Sequence, residues 1–121
     1  MDICLQSLTT DKYIEYCAVF AQIKNEGNEY YSLSTPFNNN DIFGCGLVYP
    51  PTNKLLGFPY IFFTQNGKQI GKGVLLKNNS DSYKPEVSLN CCSVEANFGN
   101  DLESRPFIYD ISKHLIIKEF Y

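Results

Sequence analysis

The sequence predicts an all-β protein built from short strands, either a sandwich or a sheet flanked by loops. Segments rich in Tyr, Phe, Ile and Val recur along the chain and are broken every few residues by Gly, Asn or Pro. One segment, IFFTQNGKQIG (61–71), sets an Asn-Gly pair between two strand-like runs, the strongest short-range signal for a two-residue hairpin. Helical spacing of apolar residues is confined to the tail and to one ambiguous stretch near the start.

Taken in order, the predicted strands are IEYCAVFAQI (14–23), EYYSLS (29–34), DIFGCGLVY (41–49), YIFFT (60–64), KQIGKGVLL (68–76), EVSLNC (86–91), SVEANFG (93–99) and PFIYDI (106–111). Between them lie KNEGN, TPFNNN, PPTNKLLGFP, NNSDSYKP and GNDLESR, whose Gly, Pro, Asn, Asp and Ser content suits turns. The first of these strands also reads as a helix, because Ile14, Cys17, Ala18 and Ala21 fall near one helical face. In the tail, Ile111, Leu115, Ile116 and Phe120 recur at helical spacing behind Asp110 or Ser112 as N-cap, which predicts a short terminal helix. No internal repeat is visible.

The hairpin at Asn66-Gly67 has a mechanical reading. A type I′ turn needs positive φ at both central residues, and Asn-Gly meets that demand at low steric cost. Phe62 and Phe63 then point to opposite faces of their strand, so burying both requires cover on each side.

The bulk properties narrow the function classes. With 121 residues the chain is one domain's worth, and 44% hydrophobic against 19% charged residues is enough apolar material for a core. A net charge of −3 and a pI near 5.0 provide no basic field for a phosphate backbone, so nucleic acid is not an expected partner. The opening MDICLQSLTTDK lacks the basic-then-apolar pattern of a secretory signal. The longest nearly apolar run, LLGFPYIFF, is far short of the roughly 20 residues of a membrane helix. These features predict a cytoplasmic protein, with a nuclear pool also open, and no membrane insertion.

Candidate chemistry is sparse. Five cysteines, Cys4, Cys17, Cys45, Cys91 and Cys92, include an adjacent pair and no Cys-x-x-Cys, so free thiols are expected rather than a disulfide framework or a zinc site. NNS (78–80) fits a glycosylation sequon, but without a secretory signal it reads as a polar turn. His114 is the single histidine and has no nucleophile motif beside it. Gly44-Cys45-Gly46 lacks the glycine spacing, lysine and following helix of a phosphate loop. Its small residues instead suit close approach of an aromatic ring or backbone. Asp41 is placed to accept backbone hydrogen bonds in the turn before that strand. The acids Glu26, Glu29, Glu86, Glu95, Asp101 and Glu103 are scattered and read as solvated surface. Tyr30, Tyr31, Tyr49 and Tyr60 lie near strand ends, where aromatic side chains serve packing or recognition. No cofactor, no metal and no enzymatic activity are expected.

Five segments stand in an order that resembles the SPRY domain, the shared part of the B30.2 module: NDIFGCG (40–46), IFFTQNGK (61–68), KPEVSL (84–89), VEANFG (94–99) and PFIYDI (106–111). The ending VEANFG…PFIYDISKHL is most similar to the Ran-binding-protein-M-like branch, and GLVYPPTNKLLGFPYIFFTQNGK to SPRY proteins with an extended loop before the hairpin. The resemblance divides the chain into an unmatched segment 1–29, a partial SPRY domain 30–111 and a tail 112–121. A complete SPRY domain carries further N-terminal strands with a Gly-Trp segment, whereas this chain has no tryptophan. Either the first half has diverged and contracted or those strands are lacking. The second case leaves open sheet edges and invites self-association.

The resemblance implies an antiparallel β-sandwich and a noncatalytic module that binds a peptide or partner domain through loops at one end of that sandwich. Adaptors of this kind serve ubiquitin-ligase or trafficking scaffolds. The implied contact turn is Asn90, Cys91, Cys92 and Ser93, where the family often carries an aromatic or bulky residue; two cysteines here leave any peptide preference open. Further implied contacts are Phe37 and Asn38 in TPFNNN and the apolar anchors Leu55, Leu56 and Phe58 in PPTNKLLGFP.

Overall fold

The computed structural model describes residues 1–49, 58–76, 82–89 and 93–121. Among the described residues eight strands follow one another: β1 Asp2–Ser7, β2 Tyr13–Cys17, β3 Gln22–Lys24, β4 Tyr30–Ser32, β5 Phe43–Val48, β6 Tyr60–Gln65, β7 Lys68–Leu75 and β8 Tyr83–Ser88. They form a five-stranded sheet in the order β4-β3-β2-β1-β8 and a three-stranded sheet in the order β5-β6-β7. Every pairing within the two sheets is antiparallel. The all-β class read from the sequence is the class observed.

The alternation of side chains builds the sandwich. Leu5, Ile14, Tyr16 and Ile23 of the large sheet pack into one buried cluster with Ile61, Phe63, Ile70 and Val74 of the small one. The other face of β6 has its own cover. Tyr60 and Phe62 are buried with Ile117 of the tail, and Val48, Leu75, Tyr109 and Phe120 close around them. Phe62 and Phe63 are thus 1% and 0% exposed on opposite faces of one strand, the double cover that their adjacency demands.

The Asn66-Gly67 turn forms as predicted. Gln65 pairs with Lys68, and Asn66 and Gly67 take φ of +52° and +81°. A Cβ on Gly67 would also lie 2.5 Å from Ile108 Cγ2. On β5, a Cβ on Gly46 would overlap the ring of Phe62, so this glycine admits the opposing aromatic.

Four expectations are corrected. Residues 14–23 are neither one strand nor a helix: Ala21 N–H donates to Ala18 C=O at 3.3 Å, folding the segment into the β2–β3 hairpin with Cys17 opposite Gln22. The unmatched start supplies β1, which lies inside the large sheet between β2 and β8 with Leu5 and Ser7 buried. Its alternation is short and mixed in polarity, and only pairing on both sides settles it as a strand.

Among the described residues the segments 93–99 and 106–111 carry no ladder. Asn97 Nδ2 donates to Arg105 C=O at 2.8 Å, Gly99 N–H donates to Asn97 Oδ1, and Arg105 pairs with Glu95. Local side-chain bonds close this stretch on itself in place of a strand partner. The tail is not an α-helix either. Asp110 caps a single 3-10 turn, Ile111–Lys113, after which His114 is extended at φ −65°, ψ 125°.

Tertiary packing overrides the tail's helical spacing. β7 bulges opposite Phe62, and there Gly73 N–H donates to Glu119 C=O while Tyr121 N–H donates to Gly73 C=O, both at 3.0 Å. The tail runs as an extended strap over the small sheet and ends with Tyr121 stacked on Tyr31 at 4.2 Å.

Candidate protein-binding surface

The loop between β4 and β5 is fixed by one carboxylate. Asp41 Oδ2 accepts from Asn38 N–H at 2.9 Å and from Gln65 Nε2 at 2.8 Å, while its Oδ1 accepts from Asn66 Nδ2 at 2.9 Å. Asn66 closes the circuit, its Oδ1 accepting from Ile42 N–H at 2.9 Å and its own N–H donating to Ile42 C=O at 2.7 Å. Gln65 Nε2 also reaches Pro36 C=O at 2.9 Å. The donors from Asn66, Asn38 and Gln65, in that order, hold the Asp41 carboxyl below its usual range. The hairpin that reads as framework is therefore also the clamp that seats the loop.

That clamp presents Phe37. Its ring stacks on Phe43 at 6.0 Å and 9° between planes, yet the residue stays 44% exposed. Asn38 is exposed beside it, with its backbone held by Asp41. Of the other site residues drawn from the sequence, Phe58 is 48% exposed and Ser93 is exposed. Among the described residues no hydrogen bond or ring contact joins either to the Phe37 loop. Asn90, Cys91, Cys92, Leu55 and Leu56 lie outside the described residues.

His114 joins two tyrosine hydroxyls and an aromatic ring. Its Nε2 lies 2.7 Å from the Tyr60 hydroxyl, its Nδ1 is hydrogen-bonded to the Tyr109 hydroxyl, and its ring stacks on Phe62 at 4.6 Å. Tyr60 Oη also accepts from Ile117 N–H at 3.2 Å. The neutral ring satisfies this site, one nitrogen donating and the other accepting, and burial lowers the His114 pKa accordingly. Nε2 holds the strap to β6, and Nδ1 ties His114 to Tyr109 within the strap itself.

The three described thiols, Cys4, Cys17 and Cys45, are free. Burial, joined by the charges of Glu86, Glu15 and Asp2, pushes Cys4 up to about 11. Burial alone is the main cause that takes Cys45 to about 11. Cys17 is also raised by burial, and the thiolate is the reactive form. Among the described residues no group of three or more His, Cys, Asp or Glu could hold a metal ion. Among them, too, no helix is long and apolar enough to cross a membrane.

No family model matches the chain, and no solved structure matches it significantly. One curated relative does. The chain is 25% identical over 96 residues to a probable ATP-dependent RNA helicase, ddx1, of Dictyostelium discoideum. The match takes in 79% of this chain and 11% of the helicase, so the chain spans a small part of that protein's length. The sequence contains no Gly-x-x-x-x-Gly-Lys-Ser/Thr, the backbone cradle by which many ATPases hold phosphates.

The sequence reading missed a second exposed feature. Val19 and Phe20, taken there as mid-strand residues, form the tip of the β2–β3 hairpin and are 62% and 71% exposed. Ala-Val-Phe-Ala contains none of the residues that signal a turn, so nothing local could have marked it.

Proposed function

We propose that the chain is a noncatalytic protein-interaction module of SPRY type, binding a peptide or a partner domain through loops at one end of its sandwich. An adaptor role in a ubiquitin-ligase or trafficking scaffold is the setting in which such modules work. The observation that carries this reading is Phe37: a large ring kept 44% exposed on a loop clamped by the Asp41 hydrogen bonds. A preorganised aromatic loses little conformational freedom on binding, which is how binding anchors act. The five ordered SPRY-like segments point the same way, and similarity to a small part of a much longer helicase fits a module joined to other machinery.

The test begins with peptides selected by phage display against the intact chain. Phe37→Ala, and separately the triple alanine change at Asn90, Cys91 and Cys92, are then measured against the selected peptide by fluorescence anisotropy. Weakening by about tenfold or more in either variant, with an unchanged melt, supports loop binding. Wild-type affinity in both rejects it.

A second reading rests on β5. Among the described residues β5 has one strand neighbour, β6, and its sequence FGCGLV carries neither proline nor charge. The outer strand β8, by contrast, holds Pro85 and the ion pair Lys84–Glu86, both of which discourage further pairing. Completion of the small sheet by another copy of the chain would use the β5 edge. Sedimentation that shows a concentration-independent monomer rejects this.

A further inference from the structure

Residues 114–121 of the strap are bonded to the sandwich at two places. Among the described residues four hydrogen bonds hold this run, and all four end on Tyr60 or Gly73. The Tyr60 hydroxyl lies 2.7 Å from His114 Nε2 and accepts from Ile117 N–H at 3.2 Å. Gly73 donates its N–H to Glu119 C=O and accepts at its C=O from Tyr121 N–H. Between these points His114 stacks on Phe62, Ile117 is buried, and Phe120 stands edge-on to Tyr60 at 5.4 Å. Gly73 makes room for Phe120, since a Cβ there would lie 2.9 Å from the ring. The groove therefore reads His114, Ile117 and Phe120 through fitted neighbours, and the backbone through one bridge.

The solvent side of the same segment is apolar without serving this core. Ile111 and Leu115 are 60% and 86% exposed, and Ile116 is exposed beside them. Ile111 opens the single 3-10 turn Ile111–Lys113, every residue of which is exposed. That turn is the bend between Tyr109, packed on Phe62 at 5.3 Å, and the run that follows. Two backbone bonds close it: Lys113 N–H donates to Asp110 C=O and His114 N–H to Ile111 C=O, both at 3.1 Å. One solvated turn of this kind opens at low cost, and once straightened it carries residues 114–121 away from their own groove as a unit.

We propose that the groove on Tyr60, Phe62 and Gly73 is also an intermolecular site, occupied by residues 114–121 of a second copy of the chain, with the two copies exchanging these runs reciprocally. Each contact made within one chain is remade between two, so the exchange costs chiefly the freedom lost on association. What the pair adds is a crossing of the two straightened turns, where Ile111, Leu115 and Ile116 of each copy cover those of the other. The interface is isologous and closes at two chains. Pairing along β5 differs, because it would leave both straps in place.

The experiment follows the intact chain by size-exclusion chromatography with light scattering. A dimer should accumulate over about a hundredfold rise in concentration. Ile111→Ser combined with Leu115→Ser should weaken it by about tenfold or more with the monomer's melt unchanged, and Phe37→Ala should leave it untouched. The second measurement uses a fluorescein-labelled peptide of residues 114–121, HLIIKEFY. It should bind the Phe120→Ala chain saturably and about tenfold or more tighter than the wild type, whose own strap competes from within the chain. The same Phe-to-Ala change in the peptide should abolish binding. A wild-type chain that stays monomeric throughout, or peptide binding that is absent or equal for the two chains, overturns the proposal. A dimer equally strong in the Ile111/Leu115 double variant and in Phe120→Ala overturns it in favour of the β5 edge.

Discussion

Phe62 and Phe63 are neighbours in sequence and equally buried, but they are buried by different things. Phe63 enters a cluster sealed between two hydrogen-bonded sheets, where Ile14, Tyr16, Ile61 and Val74 hold it from both sides. Phe62 faces the strap, whose cover consists of His114, Tyr109, Ile117 and Phe120 on a single extended segment. The first face is apolar and cooperative with the fold. The second is aromatic and polar, and is held by a few hydrogen bonds from one stretch of chain. Equal burial therefore does not mean equal contribution, because the neighbours differ in how far they can relax when a side chain is removed.

The largest effect should come from the sealed side. Phe63→Ala should destabilise the protein by about 3–5 kcal/mol, the range for a large aromatic removed where the surroundings cannot collapse. Phe62→Ala should cost less, since the strap can settle into the space; about 3 kcal/mol, the lower end of that range, is the expectation. Urea denaturation of the two variants measures the difference. Equal losses would break the comparison, and a reversed order would mean that the strap is the more rigid wall.

A smaller effect isolates the strap's polar grip. Tyr60→Phe keeps the ring that packs against Phe62 and Phe120 and deletes the hydroxyl shared by His114 Nε2 and Ile117 N–H. Two groups lose one partner atom, so the expected loss is about 1–3 kcal/mol. Hydrogen exchange should localise it: Tyr121 and Gly73, joined across the strap and β7, should exchange faster, while amides between β1 and β2 hold. Uniform acceleration would show that the strap and the sandwich open together.

The difference between the two faces also explains what could be read from sequence. The sealed sandwich was legible because its signals are local: Asn66-Gly67 demands a turn of one geometry, and adjacent Phe62 and Phe63 demand cover on both faces. The strap was not, because Ile111, Leu115 and Ile116 carry helical spacing, yet all three are exposed, Leu115 at 86%, while Ile117 is the tail residue buried in the cluster. Its path is set by Tyr60 and the bulge at Gly73, partners far away in the chain. The β2–β3 turn was hidden for the opposite reason: Ala18-Val19-Phe20-Ala21 has strand composition and is bent by the pairing of Cys17 with Gln22. At the candidate site, Asp41 was legible as a turn acceptor, and its reach to Gln65 and Asn66 was not, since that depends on how the hairpin packs against the loop.

The smallest effect should be a slope rather than a loss. His114 is the titratable group that joins the strap to β6, and burial sets its folded pKa below the ordinary value of 6.5. The unfolded chain then binds more protons than the folded one between the two pKa values, so stability is full above about pH 6.5 and declines as pH falls through the folded pKa. Other groups act in neighbouring ranges. Asp41 and Asp110, both lowered by hydrogen bonds, lose stability only below their ordinary 3.8, and Glu15, raised by burial, favours the folded state as it protonates. Subtracting the melting curves of His114→Gln from those of the wild type removes these common terms. The difference should fall with pH below about 6.5 and flatten once the folded imidazole is protonated. A difference independent of pH would show that the strap holds a charged imidazole as well as a neutral one, with both tyrosine hydroxyls turned to accept, and the outer face would then be as indifferent to acid as the sealed one.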